Sequence, residues 1–208
     1  MLFLKLIGVV ILSYLIGSIT FGDIAARIKK VDLRSQGSGN VGATNVFRTI
    51  GKGWGVAVLI GDALKGALAV WLGSLIGKIQ GFDPAIITGI MAIFGHSWTI
   101  FARFKGGKGV ATSLGVAVAL VPLSSLVALG VWVAVFLAAG YVSLASVSAA
   151  ISFPVAVYLF YNQDPYRILF ALVIAILVIY KHRDNIKRLL NGTEHRIIYN
   201  NQKGKEQK

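Results

Sequence analysis

Long apolar runs alternate with short polar connections along this chain. Roughly Met1 to Gly22, Gly53 to Gly77, Pro84 to Phe101, Val110 to Ala139, Tyr141 to Tyr161 and Tyr166 to Tyr180 are almost free of charge. Each run is near or above the ~20 residues that carry a helix across a bilayer. The pattern therefore predicts membrane-spanning helices and leaves little chain for a soluble domain. The first run continues into polar, motif-like sequence with no small-residue cleavage site after it, so it is read as a membrane helix and not as a cleaved signal peptide. Val110 to Ala139 is too long for one crossing: a single helix would extend about 45 Å against a hydrocarbon core of ~30 Å. Pro122, followed by Ser124 and Ser125, marks where it should divide. Two short helices, or a re-entrant segment and a full helix, bring the expected total to about seven membrane segments.

Composition agrees with the pattern. Of 208 residues, 56% are hydrophobic and 14% charged, and the mean hydropathy is +0.73. The expected fold is an all-α, polytopic membrane helical bundle, one domain over residues 1–208. The net charge of +13 would suit nucleic acid, but its placement points to membrane topology. Arg27, Lys29, Lys30, Arg34, Arg48 and Lys52 fill one connection, and Arg103, Lys105 and Lys108 another. Lys181, Arg183, Lys187, Arg188, Arg196, Lys203, Lys205 and Lys208 load the tail. The connection from Lys78 to Asp83 is short and nearly neutral. By the positive-inside rule the basic connections and the C-terminus are cytoplasmic and the N-terminus lies outside. Cysteine is absent and the three histidines are widely separated, so neither an acyl-cysteine intermediate nor a bound metal is expected.

Three polar clusters then fall on the cytoplasmic face. The second, GHSWTIFARFKGGKGVAT over 95–112, is the most informative. Gly106, Gly107 and Gly109 allow consecutive backbone N–H groups to converge on one oxyanion, with Lys105 and Lys108 beside them. A helix starting at Val110 would aim its free N–H groups at the same place. The segment is not a nucleotide P-loop, since Ala102 and Gly109 stand where Gly and Ser or Thr are needed. The alternative is a flexible basic turn. In the first cluster, GSGNVGATNVFR over 37–48, Ser38, Asn40, Thr44 and Asn45 suit hydroxyl and phosphate oxygens, and Arg48 can grip phosphate through two parallel bonds; a capped turn is the alternative. In the third, KHRDNIKRLLNGTEHRI over 181–197, His182 and Asn185 share a helix face, either as a polar site or as part of an interfacial amphipathic helix.

Two further features lie in the apolar runs. Asp62 and Lys65 are spaced i,i+3 and can pair on a face turned into the bundle, most simply as a structural ion pair. His96, near Trp98, is either a histidine able to accept a hydroxyl proton or a plain interfacial one.

The three clusters, in order and at these spacings, resemble the cytoplasmic motifs of the bacterial membrane acyl-phosphate:glycerol-3-phosphate acyltransferases, the PlsY family, and the similarity extends over essentially the whole chain. The resemblance implies transfer of a fatty acyl group from acyl phosphate to the 1-hydroxyl of sn-glycerol 3-phosphate, the first step of phospholipid synthesis, giving lysophosphatidic acid and phosphate. Glycerol 3-phosphate, fatty acyl phosphate and membrane lipid would be the partners, with no nucleic acid, metal or cofactor. The implied catalytic residues are His96, Ser38, Arg48, His182 and Asn185. Asn40, Asn45, Lys105, Gly106, Gly107, Lys108, Thr112 and Ser143 would bind substrate, and Glu194 would hold the tail in place. Either His96 or a substrate phosphate oxygen would be the base.

Acyltransferases that use acyl-CoA or acyl carrier protein carry H-x-x-x-x-D, whereas Phe101 occupies that acidic position here. An acyl-phosphoric anhydride, with its good leaving group, demands less activation of the attacking hydroxyl. With no Ser-His-Asp arrangement, direct attack in a ternary complex is expected. The rival classes are an anion or phosphate-ester transporter, against which the one-sided clusters count, and a lipid-linked phosphotransferase, for which Asp62 alone is a poor magnesium site.

Overall fold

The structure, a computed structural model, describes residues 1–197, so Lys203, Lys205 and Lys208 of the basic tail lie outside the described residues. Among these the regular structure is helical, apart from one isolated bridge between Ile79 and Phe82. The described chain divides into two compact units, one of residues 1–122 and one from residue 123 onward.

The first unit holds α1 (Leu2–Ser18), α2 (Phe21–Lys29), α3 (Ala43–Thr49), α4 (Lys52–Ser74), α5 (Pro84–Ser97) and α6 (Val110–Leu120). The first apolar run does not end at Gly22 as one helix. The chain turns extended at Ile19 and Thr20 and becomes helical again to Lys29. This break leaves carbonyls without helical partners, and Thr99 Oγ1 donates to the Ser18 carbonyl at 2.7 Å. α5 starts at Pro84 behind Asp83, whose side chain accepts from Ala85 N, the expected order of cap and N1 proline.

Glycine governs how these helices meet. A Cβ on Gly17 of α1 would collide with the backbone of Ala92 on α5, and one on Gly95 of α5 with the backbone of Tyr14 on α1. The same holds for Gly66 and Gly115 between α4 and α6, facing the carbonyls of Thr112 and Ala63. In lipid, where apolar surfaces gain little by leaving the solvent, such backbone-close contact supplies the cohesion. Below them, Ala25, Leu33, Val41, Val46 and Val58 form a small core under the polar loops.

The second unit comprises α7 (Pro122–Ala139), α8 (Val142–Tyr161), α9 (Pro165–Lys181) and α10 (Arg183–Leu190). α9 is capped by Asp164, which accepts from Tyr166 N and Arg167 N. α8 and α9 pack through an edge-on contact of Phe153 and Phe170, 6.1 Å between centroids. Large apolar side chains such as Leu126, Leu159 and Ile176 point outward, the inverse of a water-soluble surface.

The long fourth run divides at the expected proline: Val121 leaves helical geometry and Pro122 opens α7. The count of seven spans is not reproduced as such. Among the described residues five helical stretches, with α1 and α2 counted together as Leu2–Lys29, are long and apolar enough to cross a membrane, and six if α9 and α10, bent by 57°, form one span. α6, with 11 residues, reaches only about 16 Å and cannot cross unaided.

Gly17→Val should therefore destabilise the detergent-solubilised protein by about 1–3 kcal/mol through overpacking. Gly8→Val on the same helix, with nothing within 4 Å of its Cβ, should leave the thermal midpoint nearly unchanged.

Candidate functional site

In the first unit the polar centre forms around Lys65, in the middle of α4. Its ammonium lies 2.7 Å from Asp62 Oδ1 one turn back, 2.6 Å from the Ile19 carbonyl exposed by the α1–α2 break, and 3.0 Å from His96 Nδ1 at the end of α5. Lys65, Asp62 and His96 are 5%, 1% and 2% exposed. The pairing expected from i,i+3 spacing is present, and the histidine joins it through tertiary packing.

The glycine-rich segment folds back over this centre. Gly107 N donates to the His96 carbonyl at 3.0 Å. A Cβ on Gly106 would strike that carbonyl, and one on Gly107 would strike His96 Nε2. Glycine is thus required here for close approach. The turn into the loop uses left-handed Arg103 and Phe104, and the exit into α6 uses Gly109 at φ 77°. Val110 opens α6, the helix start expected from the sequence. Lys105 is exposed and Lys108 half-buried, while Thr112 is buried on α6. The loop is also tethered from the first connection: Arg34 donates to the Lys105 carbonyl at 3.1 Å and pairs with Asp23 at 2.6 Å. Asp23 accepts in turn from Thr20 Oγ1. Sequence alone does not separate Arg34 from the topogenic charges around it; the signal for the tether is Asp23, one of only eight acidic residues, directly after the first apolar run.

The first motif divides its labour. Asn45 is buried and uses its whole amide on the loop, donating to the carbonyls of Leu33 and Gln36 and accepting from Ser38 N. An amide so engaged has little left for a ligand. Ser38, Asn40 and Arg48 are half-buried, and Gly37 and Gly39 supply the positive φ the loop needs.

In the second unit Glu194 gathers the third motif. Its Oε1 accepts from Ser143 at 2.9 Å and Asn185 at 2.6 Å, and its Oε2 from Arg188 at 2.7 Å. Burial works to raise the Glu194 pKa, but these three donors together with the Arg188 charge hold it below the usual carboxylate value. His182, buried at the α9–α10 break, places Nδ1 2.8 Å from the Val178 carbonyl, so Nδ1 carries a proton and the ring's other nitrogen faces away from that bond. The stretch after α10 is held by Ile197 N donating to the Gly140 carbonyl and by Arg196 over the Tyr141 ring. No group of acidic, histidine or cysteine side chains suited to a metal occurs among the described residues.

Apolar helices with outward-facing aliphatic side chains, broken by polar loops, define a multi-pass integral membrane protein. Residues 7–192 match the family model described as glycerol-3-phosphate acyltransferase, and the chain belongs to that family. It is 48% identical over 197 residues to the glycerol-3-phosphate acyltransferase of Desulforudis audaxviator, covering 94% of this chain and 98% of the relative. It is also 48% identical over 197 residues to that of Aquifex aeolicus, covering 93% and 100%. Among solved structures it resembles the glycerol 3-phosphate form of PlsY, an integral membrane glycerol 3-phosphate acyltransferase, with TM-score 0.86 and 46% identity over 92% of this chain and 94% of that one. The lysophosphatidic acid form gives 0.83 and 44% over the same shares.

Glu194 makes the second unit sensitive to acid. A carboxylate whose folded pKa is depressed stabilises the fold fully above its unfolded pKa and loses that contribution as pH falls through the folded value. In Glu194→Gln an amide N–H would face the Arg188 guanidinium, donor against donor. The variant should melt below wild type above the ordinary glutamate pKa of about 4.3, and the gap should narrow as pH falls from there through the lower folded value, as thermal unfolding across pH would show.

Proposed function

We propose that this protein transfers a fatty acyl group from acyl phosphate to the 1-hydroxyl of sn-glycerol 3-phosphate, at the cytoplasmic face of the plasma membrane. The observation that carries the reading is the glycine loop folded onto His96 and flanked by two lysines. Its backbone can approach an oxyanion closely, and the similar PlsY structures in glycerol 3-phosphate and lysophosphatidic acid forms supply the class of ligand. The family match over residues 7–192 supports treating residues 1–208 as one acyltransferase domain.

In this reading Lys105, Gly106, Gly107 and Lys108 hold the glycerol 3-phosphate phosphate, with His96 and Thr112 at the edge of the loop. Ser38, Asn40 and Arg48 contact phosphate and glycerol oxygens, and Asn45 keeps their loop in shape. In the second unit His182, Asn185 and Ser143 are the candidates for polar contact, and Glu194 ties Ser143 to Asn185. The glycerol oxygen attacks the acyl carbon, the bond from that carbon to the phosphate oxygen breaks, and the released phosphate takes the electron pair; the hydroxyl proton leaves with it. No acid assists at position 101, and the anhydride donor makes this unnecessary. A transporter would also want a membrane fold and an anion loop, but the chain's relatives and structural neighbours are named as acyltransferases.

Purified protein given palmitoyl phosphate and labelled glycerol 3-phosphate, without metal, coenzyme A or carrier protein, should form labelled lysophosphatidic acid. Its absence rejects the acyltransferase reading; uptake of label into proteoliposomes without product would mark a transporter. The topology has its own check: a cysteine placed at Tyr141 should react with an impermeant maleimide only from the cytoplasmic side.

A further inference from the structure

The hydrogen bonds around Lys65 determine which nitrogen of His96 carries a proton. A lysine ammonium has three N–H donors and no acceptor. Three acceptors surround this one: Asp62 Oδ1, the Ile19 carbonyl and His96 Nδ1, at 2.7, 2.6 and 3.0 Å. One donor goes to the Ile19 carbonyl, and Asp62 Oδ1 balances the charge as an ion pair outside hydrogen-bond geometry; Nδ1, at hydrogen-bond distance from a group that has only donors, must offer its lone pair. The opposite arrangement, Nδ1–H donating to Asp62, would have to work across 3.5 Å, well beyond the 2.7–2.9 Å of a charge-assisted bond, and would set an N–H against the ammonium. The proton of the neutral imidazole then sits on Nε2. That nitrogen faces the glycine loop, since a Cβ on Gly107 would run into it.

We propose that Lys65, paired with Asp62, is a positioning residue that holds His96 as the Nε2–H tautomer, so that the histidine presents a hydrogen-bond donor and not a base to the glycine loop. The inference rests on reading that loop as the phosphate site, where an N–H adds to the converging backbone donors. It separates the buried ion pair from a purely structural role: a cation paired only for charge balance would not need to touch the imidazole. It also explains why the histidine works without an acidic partner five residues on. A carboxylate partner there would hold the proton on the nitrogen facing it and leave the other as an acceptor, whereas a lysine partner produces the reverse.

The test is nitrogen NMR of detergent-solubilised protein labelled at histidine, with His96 assigned by the signals lost in His96→Gln. In the wild type, His96 should show a protonated Nε2 and an unprotonated Nδ1; a protonated Nδ1 overturns the proposal. In Lys65→Met, Nδ1 loses its donor and keeps Asp62 as a neighbour, so the proton should move to Nδ1. Should an unpaired buried Asp62 prevent folding, the double variant Asp62→Asn, Lys65→Met removes both charges and should still lose the Nε2–H preference. A preference unchanged in the folded variant rules out Lys65 as its cause. Adding glycerol 3-phosphate to the wild type should shift the Nε2–H signal. A correct tautomer that glycerol 3-phosphate leaves unmoved would refute the phosphate-loop reading while the role of Lys65 stands.

Discussion

An ammonium in the middle of a membrane helix must find an acceptor for each of its protons, because lipid offers none. Lys65 donates to one main-chain carbonyl and one imidazole nitrogen and sets its charge against one carboxylate, and much of the first unit follows from it. The carbonyl exists as an acceptor because the first apolar run breaks at Ile19. A continuous helix would have engaged it internally and left the lysine short of a partner. The break also frees the Ser18 carbonyl for Thr99, which joins the end of α5 to the end of α1. The histidine on α5 is thereby held at a fixed height against α4, and the glycine loop that follows it hangs from its backbone.

Close helix approach makes this arrangement possible. Distances of 3.0 Å from Lys65 on α4 to His96 on α5 and 2.6 Å to a carbonyl beyond α1 require the three helices to stand nearer than leucine-lined surfaces permit. Gly17 and Gly95 between α1 and α5, and Gly73 of α4 against Ala85 of α5, remove the obstructing side chains. Glycines that read as helix-weakening punctuation in a soluble protein are here the contact surfaces. The cost in helix propensity, about 1 kcal/mol each relative to alanine, is offset by backbone-to-backbone packing.

What could be read from the chain depended on whether the signal was local. The division at Pro122, the start of α6 at Val110 and the pairing of Asp62 with Lys65 each follow from neighbours within a turn or two, and each is present. The entry of His96 into that pair joins residues 31 apart, and the commitment of the Asn45 amide to three loop groups depends on a loop path that polarity alone does not encode. Asn45 and Ser38 look equally polar in sequence, yet one is saturated inside its loop and the other stays half-buried. The span count suffered for a related reason: hydropathy registers that α6 is apolar, while its short length follows from where the chain leaves helical geometry at Val121.

The same device recurs in the second unit with the sign reversed. Where Lys65 is a donor surrounded by acceptors, Glu194 is an acceptor surrounded by donors from Ser143, Asn185 and Arg188. In both cases one ionised side chain orders groups from segments distant in sequence. Removing such a hub leaves each of its partners with an unmet bond in a poorly hydrated place, which costs more than any one of the bonds contributes. Hubs of this kind let a chain with few charged residues hold polar loops in one geometry. That rigidity is what a loop needs if it is to grip an anion with backbone N–H groups, which have no side-chain freedom with which to adjust.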